Sequence, residues 1–277
     1  MDIPSNVIEL IKHAIEEDIG HGDITTGLLV PETNESRALF IAKSSFVLAG
    51  MPFAEEVFHI LDASVTFRIF HHEGARVSRG DVLAEVSGKT RALFAGERIS
   101  LNILQRLSGI ATLTSQFVEE VKGTKAKILD TRKTTPCLRF MEKYAVRVGG
   151  GTNHRFGLYD GVLIKDNHIE EVGSIRDAVN LAQAGHHLAR IEVEVENLKE
   201  LQEAIEAGVD IVMLDNMPVR DMTEAVAYAQ GKVTIEASGN ITLANVREVA
   251  ETGVDLISVG ALTHSVAAAD ISMKIVK

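Results

Sequence analysis

Hydrophobic spacing changes character partway along the chain. Near the start, Val7, Ile8, Ile11 and Ile15 fall on one helical face. Strand-like stretches follow at residues 37–42, 46–50, 65–70, 76–77 and 82–86, punctuated by Gly74, Gly80-Asp81 and Gly88 as turns. A helical run then carries Ile99, Ile103, Leu104, Leu107 and Ile110 on one side. Beyond residue 125 short apolar runs recur, at 126–129, 161–164, 191–195, 211–214, 233–235 and 256–259. Amphipathic segments at 175–184, 198–207, 217–229 and 243–250 lie among the later runs.

Alternating strands and helices joined by right-handed crossovers build a parallel sheet with helices outside it. Six such units in so short a span predict a closed or nearly closed α/β barrel. An open doubly wound sheet is the competing architecture, but no glycine-rich dinucleotide fingerprint follows any of the strands. Repetition is confined to this rhythm, and no low-complexity tract interrupts it.

Composition narrows the classes. Lys plus Arg is 28 and Asp plus Glu is 39, a formal net charge of −11. That balance, with few aromatics, argues against a nucleic-acid surface and against docking on anionic membranes. Cys137 is the single cysteine, so no disulfide framework forms within the chain. The first residues show no basic, then apolar, leader, and no apolar run reaches membrane-spanning length. The expectation is a cytoplasmic protein that binds neither nucleic acid nor membrane.

The ends of the apolar runs in the second half carry the chemistry. The first ends in Asp130-Thr131-Arg132-Lys133, the second in Lys165-Asp166-Asn167-His168, the third alternates Glu192, Glu194 and Glu196 with apolar residues, the fourth ends in Asp215-Asn216, the fifth in Glu236-Ala237-Ser238-Gly239-Asn240, and the sixth in Gly260-Ala261. In parallel α/β architectures the carboxyl ends of the strands share one face, where ligands bind. Arg132, Lys133, His154, Arg155 and Lys165 concentrate positive charge there, as a pocket for a small polyanion requires. Arg139, Lys143 and Arg147, spaced four apart, read instead as a solvated helix face or a subunit contact. Gly149-Gly150-Gly151 reads as a loop delivering His154 and Arg155. Ser238-Gly239-Asn240 and Val259-Gly260-Ala261, with His264 just beyond, suit a phosphate. Glu194 and Asp215 either hold Mg²⁺ or bond sugar hydroxyls.

Longer motifs carry a resemblance. They run from Asp130-Thr131-Arg132-Lys133-Thr134-Thr135-Pro136 through residues 142–151 and Asn153-His154-Arg155-Phe156-Gly157-Leu158 to Leu163-Ile164-Lys165-Asp166-Asn167-His168. Residues 18–26, Gly96-Glu97-Arg98 and residues 102–105 extend them. In these the chain resembles the quinolinate phosphoribosyltransferases along essentially its whole length. The resemblance implies an N-terminal α/β sandwich, residues 1–110 joined by the tail 266–277, and a C-terminal α/β barrel, residues 111–265, of the type II phosphoribosyltransferase kind. It implies a homodimer or larger assembly with shared active sites, Arg98 being supplied by the neighbouring subunit. Arg98, Arg132, His154, Arg155 and Lys165 match the quinolinate-binding set. Lys133, Glu194 and Asp215 match the catalytic residues near 5-phosphoribosyl 1-diphosphate and its Mg²⁺, the two carboxylates holding the metal directly or through water. Ser238, Gly239, Asn240, Val259, Gly260, Ala261 and His264 match the phosphate-binding region. Cys137 stands where glycine is expected and Tyr159 where an acidic residue is expected.

The chemistry so implied is transfer of the phosphoribosyl group to quinolinate with loss of CO₂, giving nicotinate mononucleotide for NAD biosynthesis. Two other readings fit fewer residues. One is a Schiff-base lyase on Lys133 or Lys165; the other is a non-catalytic protein binding a nucleotide or oxyanion. Residues 74–86 resemble half of a biotinyl or lipoyl carrier domain, but the lysine turn flanked by methionine is missing, so the segment reads as structural.

Overall fold

A computed structural model describes residues 2–185 and 188–276. The outermost ends of the expected domain spans, Met1 and Lys277, lie outside the described residues. The chain divides into two compact units. Unit 1 comprises Met1–Leu113, Pro136–Gly149 and Val266–Lys277; unit 2 comprises Thr114–Thr135 and Gly150–Ser265.

In chain order, unit 1 begins with α1 (Ser5–Ile19), α2 (Ile24–Leu29), β1 (Glu35–Ala42), β2 (Phe46–Val47) and α3 (Met51–Leu61). Then come β3 (Thr66–Ile69), β4 (Arg76–Val77), β5 (Val82–Lys89) and α4 (Thr90–Glu120), within which the unit boundary falls. Unit 2 holds β6 (Lys127–Leu129); α5 (Arg139–Val148) returns to unit 1. The rest of unit 2 is β7 (Val162–Ile164), α6 (Asp166–Val172), α7 (Ile175–Gly185), β8 (Ile191–Val195), α8 (Leu198–Ala207), β9 (Ile211–Asp215), α9 (Val219–Ala229), β10 (Thr234–Ser238), α10 (Val246–Glu251), β11 (Leu256–Ser258) and α11 (Ala261–His264). The tail forms β12 (Ile271–Val276) in unit 1.

Unit 1 is built on an antiparallel sheet in the order β12-β1-β5-β3, with β2 and β4 paired separately. Period-two alternation buries Ala38, Phe40 and Ala42 of β1 on one face. These pack in one cluster with Met51, Ala54 and Phe58 of α3 and Leu93, Leu101 and Leu104 of α4. Residues 136–149, expected with the barrel, belong here. Phe140 and Tyr144 of α5 stand edge-on to Phe53, and buried Glu142 accepts hydrogen bonds from Arg106 of α4. The solvated basic face expected for α5 is therefore corrected: Lys143 is buried and only Arg147 of the three is exposed. Residues four apart drift about 40° around a helix, so one row need not stay on one face.

Unit 2 has six parallel strands in the order β6-β11-β10-β9-β8-β7. From β7 to β11 the winding never reverses, and β6 then joins beyond β11. A right-handed crossover repeated in one direction keeps all the helices on one side and curls the sheet around the other. The gap between β6 and β7 is filled by the segment leading to His154, which forms a parallel bridge from Thr152 to Leu129. Inner residues of all six strands line one lumen of about 310 Å³. Strand β8 is enclosed on both faces, Glu192 and Glu194 inward and Ile191, Val193 and Val195 toward the helices. Local signals set helix limits: Asn197 caps α8 by accepting from the amides of Lys199 and Glu200, and Gly208 ends it with φ 82°. Among the described residues no helix is long and apolar enough to cross a membrane.

Candidate active site

At the carboxyl ends of the unit 2 strands lies a cavity of about 470 Å³, and every strand contributes to it. The β6 end brings Thr131, Arg132 and Lys133; β7 brings Leu163 and Lys165; β8 brings Glu194. Strand β9 brings Met213, Asp215 and Asn216, β10 ends in Ser238-Gly239-Asn240, and β11 supplies Ser258. His154 and Arg155 enter from the segment that fills the gap. Cations lie on the β6–β7 side and carboxylates on β8 and β9, with the Lys165 ammonium ion-paired to Glu194.

Backbone devices hold these groups. The Lys133 amide donates to Thr131 Oγ1 at 3.0 Å, while its carbonyl accepts from Thr263 Oγ1 at 2.7 Å. The Lys165 amide donates to His168 Nδ1 at 3.0 Å, where α6 begins. Asn216, at φ 53°, donates through Nδ2 to Asp215 and accepts from Asn240 Nδ2 at 2.8 Å, tying the β9 and β10 ends together. Gly239, at φ 94°, passes so close to Asn216 that a Cβ would sit 2.2 Å from its Oδ1.

Arg155 is fixed by the bond from its Nη1 to Gly161 O at 3.0 Å. Burial and the neighbouring Arg132 charge hold its guanidinium below the ordinary arginine value, against the opposing pull of Glu192 and Asp160. Wholly buried Asp130 accepts from Asn153 Nδ2 and from the His154 amide, at 2.5 and 2.9 Å. His154 accepts the Arg155 amide on Nδ1 at 2.8 Å, and its Nε2 stands 3.1 Å from Glu192 and 3.7 Å from Glu236. Both glutamates are buried. Burial, then the Glu192 charge, pushes the Glu236 carboxyl up to about 7, while His154 pulls it down.

The cavity gathers Arg132, Lys133, His154, Arg155, Lys165, Glu194, Asp215, Ser238, Gly239 and Asn240. Val259, Gly260, Ala261 and His264 do not line it. Val259 is buried, its amide bonded to Leu129 O. Gly260 lets Lys133 and His264 converge, since a Cβ there would lie 3.0 Å from Lys133 Cδ and 3.1 Å from His264 Nε2. Arg98 is exposed on α4 in unit 1. Glu236 lies within β10, facing the lumen, and not past its end. Its two-residue spacing from Ser238 is the signal for that inward position. Thr131, Asn216 and Ser258 line the cavity although the sequence motifs gave them no role. Cys137 adopts φ 67°, which accounts for the expectation of glycine there, and exposed Tyr159 lays its ring over Gly157.

Opposed cations and carboxylates at the carboxyl ends of a parallel α/β barrel define an enzyme acting on a small, highly anionic molecule. The model of the quinolinate phosphoribosyl transferase N-terminal domain matches residues 23–108, and that of the C-terminal domain residues 110–274. A probable nicotinate-nucleotide pyrophosphorylase (carboxylating) of Bacillus subtilis is 47% identical, over 96% of this chain and 92% of its own. The nicotinate-nucleotide pyrophosphorylase (carboxylating) of Mycobacterium leprae is 42% identical, over 96% and 95%. Among solved structures, the nicotinate-nucleotide pyrophosphorylase of Francisella tularensis superposes with TM-score 0.95 at 42% identity, covering 99% of this chain and 98% of that one. The chain belongs to the quinolinate phosphoribosyl transferase family.

Proposed function

We propose that this protein transfers the phosphoribosyl group of 5-phosphoribosyl 1-diphosphate to quinolinate, releasing diphosphate, CO₂ and nicotinate mononucleotide. The observation that carries the reading is one cavity with Arg132, Lys133, Arg155 and Lys165 facing Glu194 and Asp215. Quinolinate brings two carboxylates and a nucleophilic ring nitrogen, and the donor brings phosphates and an electrophilic C1. Arg132, Arg155 and Lys165 orient the acid, guanidinium groups being suited to carboxylates. The ring nitrogen forms the bond to C1 as the C1–O bond breaks and diphosphate leaves with the electron pair. Glu194 and Asp215 offset positive charge growing on the ribose, and Lys133 offsets negative charge on the leaving group. The pyridinium then accepts the electron pair of the departing carboxylate, CO₂ leaves, and a proton takes its place on the ring carbon.

Two carboxylates without softer ligands fit Mg²⁺, which favours oxygen, and Glu194 and Asp215 would hold it, directly or through water. When bound, Mg²⁺ supplies charge neutralisation on the diphosphate. The loop Ser238-Gly239-Asn240 fits the donor's phosphate, with Gly260 and His264 behind Lys133. A homodimer with shared sites accords with exposed Arg98 and with the bare apolar side chains Ile24, Leu28 and Leu29 on α2. We place the protein in the cytoplasm.

The test is direct. Purified protein, quinolinate, donor and Mg²⁺ should yield equal amounts of nicotinate mononucleotide and CO₂, with no product when nicotinate replaces quinolinate. Folded protein that binds the donor yet makes no product would sink the reading.

A further inference from the structure

We infer that Glu236, buried in the barrel lumen beneath the acceptor site, is a positioning residue for the acid substrate: acting through His154 and Arg155, it sets how tightly quinolinate is held. The inference rests on the proposed reaction and adds to it a residue outside the cavity that takes the substrates.

Two spaces meet inside unit 2. Glu192, Glu236 and Leu256 of the lumen each stand two residues before Glu194, Ser238 and Ser258 of the active cavity, so strand alternation sets them one layer deeper on the same inner face. His154 and Arg155 line both spaces. His154 Nε2 stands 3.1 Å from Glu192 Oε2 and 3.7 Å from Glu236 Oε1. Glu236 is 1% exposed, and Glu192 Oε1 and Glu236 Oε1 are buried with no hydrogen-bond partner.

A buried carboxylate short of donors is costly to ionise, and a second carboxylate beside it raises the cost. Burial, then the Glu192 charge, carries the Glu236 carboxyl up to about 7 against the pull of His154. While Glu236 is neutral, Glu192 is the buried lumen group that draws on Arg155. Once ionised, Glu236 adds a second negative charge beneath His154 and Arg155, where water screens little. That charge competes with the carboxylates of quinolinate for the same two side chains. Lys127, Asp160 and Arg190, the other charged groups lining the lumen, are exposed, so solvent damps their effect. Strands β9 and β11 add only the apolar Ile211 and Leu256.

The test follows KM for quinolinate with pH, at saturating donor and Mg²⁺. In the wild type it should rise roughly fivefold between pH 6 and pH 8, while KM for the phosphoribosyl donor changes by less than about twofold. Glu236→Gln keeps the shape of the neutral acid and should hold the low KM across that range. Glu192→Gln removes a charge that raises Glu236, so its rise should begin at lower pH. Linkage gives a second readout, because an acid opposed by ionised Glu236 must itself favour the protonated form. Calorimetric titration of quinolinate at pH 7, in buffers of different ionisation enthalpy, should show the wild type taking up a fraction of a proton and Glu236→Gln taking up none. A flat profile in active wild type, a rise that persists in Glu236→Gln, or an equal rise for both substrates would overturn the inference. Should Glu236→Gln fail to fold, the displaced rise in Glu192→Gln decides, and an undisplaced one counts against Glu236. A wild type that never uses quinolinate would instead refute the proposed reaction, and this inference with it.

Discussion

Gly239 concentrates several constraints in one residue. Its φ of 94° is one that side chains rarely adopt, and a Cβ would lie 2.2 Å from Asn216 Oδ1 and 2.9 Å from the Asn216 amide. Asn216 in turn braces Asp215. Gly239→Ala should therefore push Asn216 away and lower kcat/KM for the donor by about 10- to 100-fold. The change should leave the quinolinate binding proposed for Arg132 and Arg155 intact, which equilibrium titration checks. Glu236 makes a different prediction. Its folded-state value of about 7 lies above the ordinary 4.5, so between those values the folded protein holds a proton that the unfolded chain releases. The stabilisation is fully present below pH 4.5 and is lost as pH rises through 7, a change of about 3 kcal/mol. Glu236→Gln should flatten the fall in stability between pH 5 and 8, measured by urea unfolding at each pH; a slope equal to wild type would remove Glu236 from the linkage. Much of the charged rim was legible as a sequence because Arg132, Lys133, Lys165 and Asp215 each follow an apolar run. The lumen glutamates were visible as letters but not as a buried pair, since burial depends on strands far apart in the chain.

At the scale of elements, α3 and α5 are joined by one carboxylate. Glu73 accepts the amides of Gly50 and Met51 at the start of α3, at 2.8 and 2.9 Å, and the Tyr144 hydroxyl of α5 at 2.8 Å. An anion at a helix N-terminus is favoured by the unpaired amides and the helix dipole. Burial and the Glu73 charge raise the Tyr144 hydroxyl above its ordinary value, so it remains a donor. Tyr144→Phe should cost about 1–2 kcal/mol, read as a lower urea midpoint with unchanged slope. Glu73→Ala should cost more, because three donors lose their acceptor. Strands β8 and β9 were readable almost residue for residue, β8 as glutamates alternating with β-branched residues and β9 as an unbroken apolar run ending in Asp215. Helix α3 was not read, although its stripe is there: Glu55, Glu56 and His59 share one side, and the buried Met51, Phe53, Ala54, Val57 and Phe58 the other. Helix α5 was noticed only for its basic row, whereas its packing is set by Phe140, Glu142 and Tyr144. Its membership of unit 1 follows from contacts with α3 and α4, which no local pattern in residues 136–149 announces.

For the whole molecule, the last residues of the chain complete a sheet begun near the first. Strand β12 pairs antiparallel with β1 along its length, Arg37 opposite Val276 and Ala42 opposite Ile271. Ile271 and Met273 enter the unit 1 core. The approach is tightly fitted: the Ala269 amide donates to Gln105 O, Gln105 Nε2 donates to Ile271 O, and α4 has Gly109 where the tail passes. A Cβ on Gly109 would lie 2.2 Å from Ala267 O, a backbone atom that cannot swing aside. Removing residues 266–277 exposes one side of β1 and takes two apolar side chains from the core, each worth about 2–3 kcal/mol. Against a domain stability of roughly 5–15 kcal/mol that is a large share. The truncated chain should melt at least about 10 °C lower. Hydrogen exchange locates the damage. In an antiparallel sheet alternate residues of β1 bond to β12 and to β5, so every second amide between Arg37 and Ala42 should lose protection first. Gly109→Ala should reproduce this alternating pattern in weaker form with the tail still present. Loss of protection that is uniform along β1, or none at all, would mean that the tail does not hold the sheet.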